Sequence, residues 1–332
     1  MTMSNIILTG ITSSGTPHIG NYVGAIKPAI DQQNQNHHAM YFIADYHSLI
    51  KLWDAKLRQQ YGMEIAATWL AMGLDPAKTL FYKQSDIPEI LELNWILTTV
   101  SAKGLLNRAH AYKDQVAKNV EAGDKDPDAG ITMGLYCYPM LMAADILMFN
   151  ATHVPVGKDQ IQHIEIARDI AARFNHVYGE IFHLPEAIID TKTQTLPGLD
   201  GRKMSKSYGN TIPLFAEGPE LKKSIMKIKT NSQAPTEPKE TDGDTLFQIY
   251  RAFATEAEAA ELKQRYATGI GWGEAKNAVY ELLENKLAEP RAHYRELMAH
   301  PEQVNAILAE GAEKARAKAK PFLMKIRQIV GL

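Results

Sequence analysis

An α/β fold, a doubly wound parallel sheet with a helical C-terminal domain, is predicted by three features of this 332-residue chain. Short apolar runs alternate with segments of helical period in the N-terminal part, the pattern of strands buried between helices. The first of these runs leads into a turn of small residues and then a helix start. After about residue 221 the pattern is nearly all helical, with apolar spacing through 259–262, 278–282 and 304–308.

Residues 5–9 (Asn-Ile-Ile-Leu-Thr) form an apolar run cut off by Gly10, as a buried parallel strand would be. A loop of small residues, 10–15, leads to Thr16 and Pro17, an N-cap and first-turn pair for a helix through Ile19, Tyr22, Val23 and Ile26. His18 and Asn21, three apart, then share a face of the first turn beside the positive end of the helix dipole, a place suited to phosphate. Residues 40–44 read as a second strand ending in Asp45-Tyr46-His47-Ser48, and a helix from about 54 to 72 stops at Gly73. Residues 79–83 read as a third strand, followed by a helix after Pro88 that runs through Trp95. His18 and His47 would both lie on the rim formed by the carboxyl ends of the strands, where ligands of such sheets gather.

Further along, residues 121–130 have the Asp, Pro and Gly content of a mobile loop. The expected division is an α/β domain over 1–210, including that insertion, and a helical domain over 211–332 whose C-terminal segment has room to pack back on the first. The final segment is basic, with Lys314, Arg316, Lys318, Lys320, Lys325 and Arg327, and reads either as a solvated helix face or as a contact for an RNA backbone.

A formal net charge of −2 argues against wholesale polyanion binding, so any nucleic-acid contact must come from local patches. The single cysteine, Cys137, leaves no internal disulfide or cysteine-rich zinc site, and no protein-only metal cluster is visible. The N-terminus lacks a basic leader with an apolar core, and no apolar run is long enough to span a membrane. A soluble, cytoplasmic protein with no membrane contact is expected.

Two stretches carry chemistry. Residues 138–149 are apolar apart from Asp145, and a buried carboxylate there costs several kcal/mol unless something donates to it. An Arg, a Lys, a backbone amide or a ligand N–H would serve. Met142, three residues earlier on the same helical face, offers a polarizable wall for a flat aromatic ring. Between the two halves of the chain stands Lys203-Met204-Ser205-Lys206-Ser207, flanked by Gly201 and Gly209. Its two mobile ammonium groups suit a polyphosphate, which accepts a point charge without fixed fork geometry.

This string resembles the KMSKS loop of the class I aminoacyl-tRNA synthetases, and His18-Ile19-Gly20-Asn21 resembles their HIGH-type turn. The run 138–149, with Val154-Pro155-Val156-Gly157-Lys158-Asp159-Gln160 after it and Gly20-Asn21-Tyr22-Val23-Gly24-Ala25 before it, looks like the bacterial tryptophanyl-tRNA synthetases in particular. The resemblance is dense from 5 to 210 and diffuse in the helical part.

That resemblance implies a Rossmann-type catalytic domain that activates L-tryptophan with ATP and passes it to tRNA(Trp). It implies catalytic roles for His18, Asn21, Lys203 and Lys206. ATP would be bound by Thr12, Ser13, Ser14, Gly20, Asn21, Gly157, Lys158, Asp159 and Leu196, together with Lys203, Met204, Ser205, Lys206 and Ser207. Tryptophan would be bound by Asp145, which accepts the indole N–H, and by Met142, His47, Thr12, Gly10, Val154, Val156 and Gln160. Mg2+ would arrive with ATP, the chain would pair as a homodimer, and the C-terminal helices would read the anticodon. Three positions depart from the pattern, among them Gln115, which falls roughly where some members have a second lysine near the phosphates. Thr12 replaces a frequent glutamine, which shortens a pocket contact, and Lys158 replaces a frequent glutamate beside the expected ribose. The rival readings are a tyrosyl-tRNA synthetase, which shares both hallmark motifs, and a catalytically inactive paralogue that binds RNA or senses tryptophan.

Overall fold

The computed structural model describes residues 5–13, 15–33, 38–157, 160–188 and 195–332. Five parallel strands, β1 (Ile6–Ile11), β2 (His38–Ile43), β3 (Leu80–Lys83), β4 (His153–Pro155) and β5 (Glu186–Ile188), form one sheet in the order β3-β2-β1-β4-β5. The chain winds outward from β1 to β3, then returns to the other side of β1 for β4 and β5. This reversal opens a crevice at the carboxyl ends of β1 and β4, the ligand position in doubly wound sheets.

Strand β2 shows why the sheet is covered on both sides. Met40, Phe42 and Ala44 enter one core with the helices Glu89–Val100, Met133–Met148 and Ile161–Tyr178. Ala39, Tyr41 and Ile43 enter a second core with Trp69 of the helix Ala55–Ala71 and Leu297 of the helix Ala288–Ala299. The two-residue alternation of a strand sends successive side chains to opposite faces, so a continuous apolar run is required here. Strands β4 and β5, three residues each, have no such run and are not evident in the sequence.

A third core gathers the helices Gly218–Met226, Thr245–Phe253, Glu256–Thr268 and Trp272–Lys286 around Leu221, Leu246, Leu262 and Val279. It also takes in Ile19 from the first helix, and Leu196 and Met204 from the segment between the halves. The last helix, Pro301–Val330, leaves this bundle and lies along the edge strand β3. Gly311 makes that approach feasible, because a Cβ there would stand 1.9 Å from the Phe81 carbonyl oxygen.

The basic end of this helix has a third use besides solvent or RNA. Arg316 forms hydrogen bonds from both Nε and Nη2 to Glu89, and Arg327 pairs with Glu92. Two of the six cations thus fasten the helix to the sheet domain, with Glu89 buried. The 123–131 turn is closed by Asn119, whose Nδ2 donates to the Pro127 and Ala129 carbonyls at 2.8 Å each. Among the described residues no helix is long and apolar enough to cross a membrane.

Candidate active site

The first helix begins later than its Thr16-Pro17 signal suggests. His18 is the N-cap of Ile19–Asn21, because Pro17 and the residue-18 backbone are occupied in pairing with the 212–214 segment. The Leu214 N–H donates to the Pro17 carbonyl and the Ile19 N–H to the Ile212 carbonyl. His18 and Asn21 form a reciprocal capping box: the Asn21 N–H donates to His18 Nδ1 at 3.2 Å, and the His18 N–H donates to Asn21 Oδ1 at 3.1 Å. With Nδ1 accepting, the neutral ring carries its proton on Nε2. Burial, and then the Lys206 ammonium, push the His18 imidazole down to about 4. The ring is therefore neutral near pH 7, with Nε2–H as its donor.

After this cap the helix passes through a π-helical stretch, Tyr22–Ile26, before continuing as Lys27–Gln33. Such wide turns are frequent at functional sites. Gly24 and Ala25, within it, line the cavity described below.

The lysine loop closes on this turn. Met204 is buried and packs against Gly20, where a Cβ would stand 3.3 Å from Met204 Cβ. A Cβ at Gly15, whose φ is +126°, would stand 3.0 Å from Lys206 Nζ. Lys203 and Lys206 are both exposed, and partial desolvation of the Lys206 ammonium lowers its pKa. Leu196, also buried, receives the Met204 N–H on its carbonyl at 2.9 Å. Ser205 and Ser207 join through their hydroxyls at 2.9 Å.

A cavity of about 620 Å³ opens in the crevice between β1 and β4. Gly10, Thr12, His47, Met142, Asp145, Val154, Val156 and Gln160, the residues expected to face tryptophan, all line it, as does Gly157. Phe42 supplies an aromatic wall and crosses directly over Gly10, where a Cβ would meet its ring at 2.4 Å. Only glycine fits beneath that ring. Ser13 does not open into the cavity: it is fully buried, its hydroxyl lies 2.6 Å from Ser48 Oγ and its backbone N–H donates to the same oxygen at 3.0 Å. Ser14, Lys158 and Asp159 lie outside the described residues.

Asp145 is 1% exposed, on the cavity side of the helix Met133–Met148. Among the described residues its partners are neither an arginine, a lysine nor a backbone amide. His47 Nε2 donates to Oδ2 at 3.0 Å, and Gln84 Nε2 donates to both carboxylate oxygens at 2.9 Å. Burial raises the Asp145 pKa, while the His47 and Gln84 hydrogen bonds pull the other way. Gln84 was not evident in the sequence; its only signal is a position just past the carboxyl end of β3, on the ligand rim. Among the described residues no group of three or more His, Cys, Asp or Glu side chains converges to hold a metal ion.

A parallel sheet whose first helix begins with a His–Asn cap, closed over by a loop bearing two lysines, is the arrangement of a class I tRNA synthetase. The family model described as "tRNA synthetases class I (W and Y)" matches residues 2–288, and the chain belongs to that family. Within it, the chain is 58% identical over 334 residues to the tryptophan–tRNA ligase of Pseudomonas aeruginosa, covering 99% of this chain and 74% of that protein. It is 56% identical over 327 residues to the tryptophan–tRNA ligase of Neisseria meningitidis, covering 98% of this chain and 97% of the other. The crystal structure of Campylobacter jejuni tryptophanyl-tRNA synthetase with ADP and tryptophan superposes with a TM-score of 0.90. That match has 44% identity and covers 98% of this chain and 100% of the other.

Proposed function

We infer that this chain activates L-tryptophan with ATP and transfers it to tRNA(Trp), the reaction named by the ligases it resembles. The observation that carries this reading is the buried, hydrogen-bonded Asp145 carboxylate on the wall of a largely apolar cavity. An indole supplies what that wall needs: a flat apolar body and one N–H for the carboxylate. A substrate without that donor leaves a buried charge short of a partner and is rejected.

In the first step the ionised tryptophan carboxylate attacks the α-phosphorus of ATP in line and pyrophosphate leaves, so no general base is needed. Catalysis is then placement and charge stabilisation. We assign His18, through Nε2–H, and Asn21 to the phosphates at the helix start, and Lys203 and Lys206 to the departing pyrophosphate. Mg2+ would come with the nucleotide, held mainly by its phosphates. In the second step a terminal ribose hydroxyl of the tRNA attacks the carbonyl carbon of the tryptophanyl-adenylate, forming the ester as AMP leaves. Residues 1–210 would perform this chemistry, and the helices from 211 onward would meet the anticodon.

The chain is proposed to act as a homodimer. In support, Leu91 and Trp95, four apart and so on one face of the helix Glu89–Val100, are both exposed. Large apolar side chains exposed together mark a partner surface.

The test is amino-acid-dependent exchange of pyrophosphate into ATP, with tryptophan, tyrosine and phenylalanine offered separately and an Asp145→Ala variant alongside. Tryptophan alone should support exchange and the variant should lose it. Exchange with tyrosine instead would overturn the substrate, and binding of tryptophan without exchange would mark an inactive paralogue.

A further inference from the structure

We propose that Gln84 is a specificity-determining residue that no substrate touches: it positions the Asp145 carboxylate so that an acceptor lone pair faces the cavity. The proposal rests on the tryptophan reading of the site. Gln84 is fully buried and is not among the residues that line the cavity, so it acts through Asp145 rather than on the ligand.

The orientation of the Gln84 amide follows from its neighbours. Its Oε1 accepts the Tyr46 N–H at 3.1 Å and its Nε2 donates to Asp145 Oδ1 and Oδ2 at 2.9 Å each. A flipped amide would set oxygen against carboxylate and N–H against N–H, losing every one of these bonds at a buried place. The backbone around it is laced as well. Asp45, at the end of β2, accepts the Ser85 N–H at 3.0 Å and the Ser85 hydroxyl, and also the Tyr46 N–H at 3.1 Å. The turns after β2 and β3 are thereby tied together, and the Gln84 side chain leaves them in one direction.

This fixes what the carboxylate can still do. Two oxygens offer about four lone-pair positions. Gln84, which does not line the cavity, bridges both oxygens, and His47 takes a further position on Oδ2. What remains is acceptor capacity toward the cavity, where a ring N–H completes the set. Without Gln84 the carboxylate is free to rotate and to satisfy itself elsewhere, and discrimination between a ring with N–H and one without it should weaken.

Two variants test this. Gln84→Met keeps length but neither donates nor accepts; Gln84→Glu keeps the acceptor for Tyr46 and sets a second carboxylate oxygen where the donor was. Each is read by pyrophosphate exchange with tryptophan and with the analogue whose ring N–H is replaced by sulfur, KM and kcat taken separately. The ATP KM and the melting temperature serve as controls. For Gln84→Met we expect the tryptophan KM to rise about 10- to 100-fold with kcat within about threefold, and the preference over the sulfur analogue to shrink about tenfold. Gln84→Glu should lose more than Gln84→Met. If either variant keeps both the tryptophan KM and the preference, or if both substrates weaken equally, the positioning role is wrong. Absence of tryptophan-dependent exchange in the unaltered chain would instead overturn the functional reading, and this inference with it.

Discussion

The Asn210 carboxamide donates to Asp200 Oδ1 at 2.7 Å, and this bond anchors the loop that carries Lys203 and Lys206. The same amide donates to the Lys203 carbonyl at 3.1 Å, and its Oδ1 accepts the Ser205 N–H at 2.8 Å. Gly198 lies against it so closely that a Cβ would meet the Asn210 side chain at 2.4 Å. Asn210, Asp200 and Arg202, whose Nε donates to Asp200 at 2.7 Å, hold the loop as a unit. The Asn210 bond, and then Arg202, keep the Asp200 carboxyl down at about 2. Asn210→Ala should therefore misplace both lysines while leaving the cavity intact. The expected result is a fall in kcat for exchange of about 10- to 100-fold with the tryptophan KM nearly unchanged, measured by steady-state kinetics.

His18 gives a stability signature. Its imidazole titrates near 4 in the folded chain against 6.5 ordinarily, so between those values the unfolded state binds more protons. Stability should fall as pH drops from 6.5 toward 4 and level off below, a contribution on the order of 3 kcal/mol at most. His18→Asn, which can still cap the helix, should lack this component. Urea unfolding of both forms across pH 4 to 7 isolates it as the difference between the two curves.

Gly311→Ala should detach the last helix from the sheet edge. The added methyl would collide with the backbone of Phe81, which cannot swing aside as a side chain does. We expect a loss of about 3 kcal/mol or more, and faster hydrogen exchange at β3 than elsewhere in the sheet. An alanine that costs nothing would show that the helix does not hold this contact.

Trp95 is 68% exposed beside Leu91, and the dimer proposal depends on that face. Trp95→Glu should shift the sedimentation of the chain toward the monomer at micromolar concentration without lowering its melting cooperativity. An unchanged assembly state would place the partner surface elsewhere.

Legibility in the sequence followed the range of the interaction. Strands β1 to β3 could be read because burial on both faces demands an uninterrupted apolar run, while β4 and β5 exist through pairing with β1 and with each other. The His18 turn and the lysine loop could be read because their chemistry is packed into a few neighbouring residues. Even there the local signal misled by two residues: Thr16 and Pro17 look like a helix start, but pairing with the 212–214 segment moves the cap to His18. The basic tail announced charge without a partner, since Glu89 lies 227 positions from Arg316.

What the sequence by itself determined is the class of fold, the His18 turn and the two-lysine loop as local motifs, and the need for a partner to Asp145, because each follows from residue type and spacing along a few turns of chain. Tertiary structure alone decided which partner Asp145 has, how the last helix returns to the sheet, and that Asn210 braces the lysine loop. A glutamine in a short turn has no periodicity or composition to mark it; only when the ends of β2 and β3 are brought beside the helix Met133–Met148 does its amide meet a carboxylate 61 residues away.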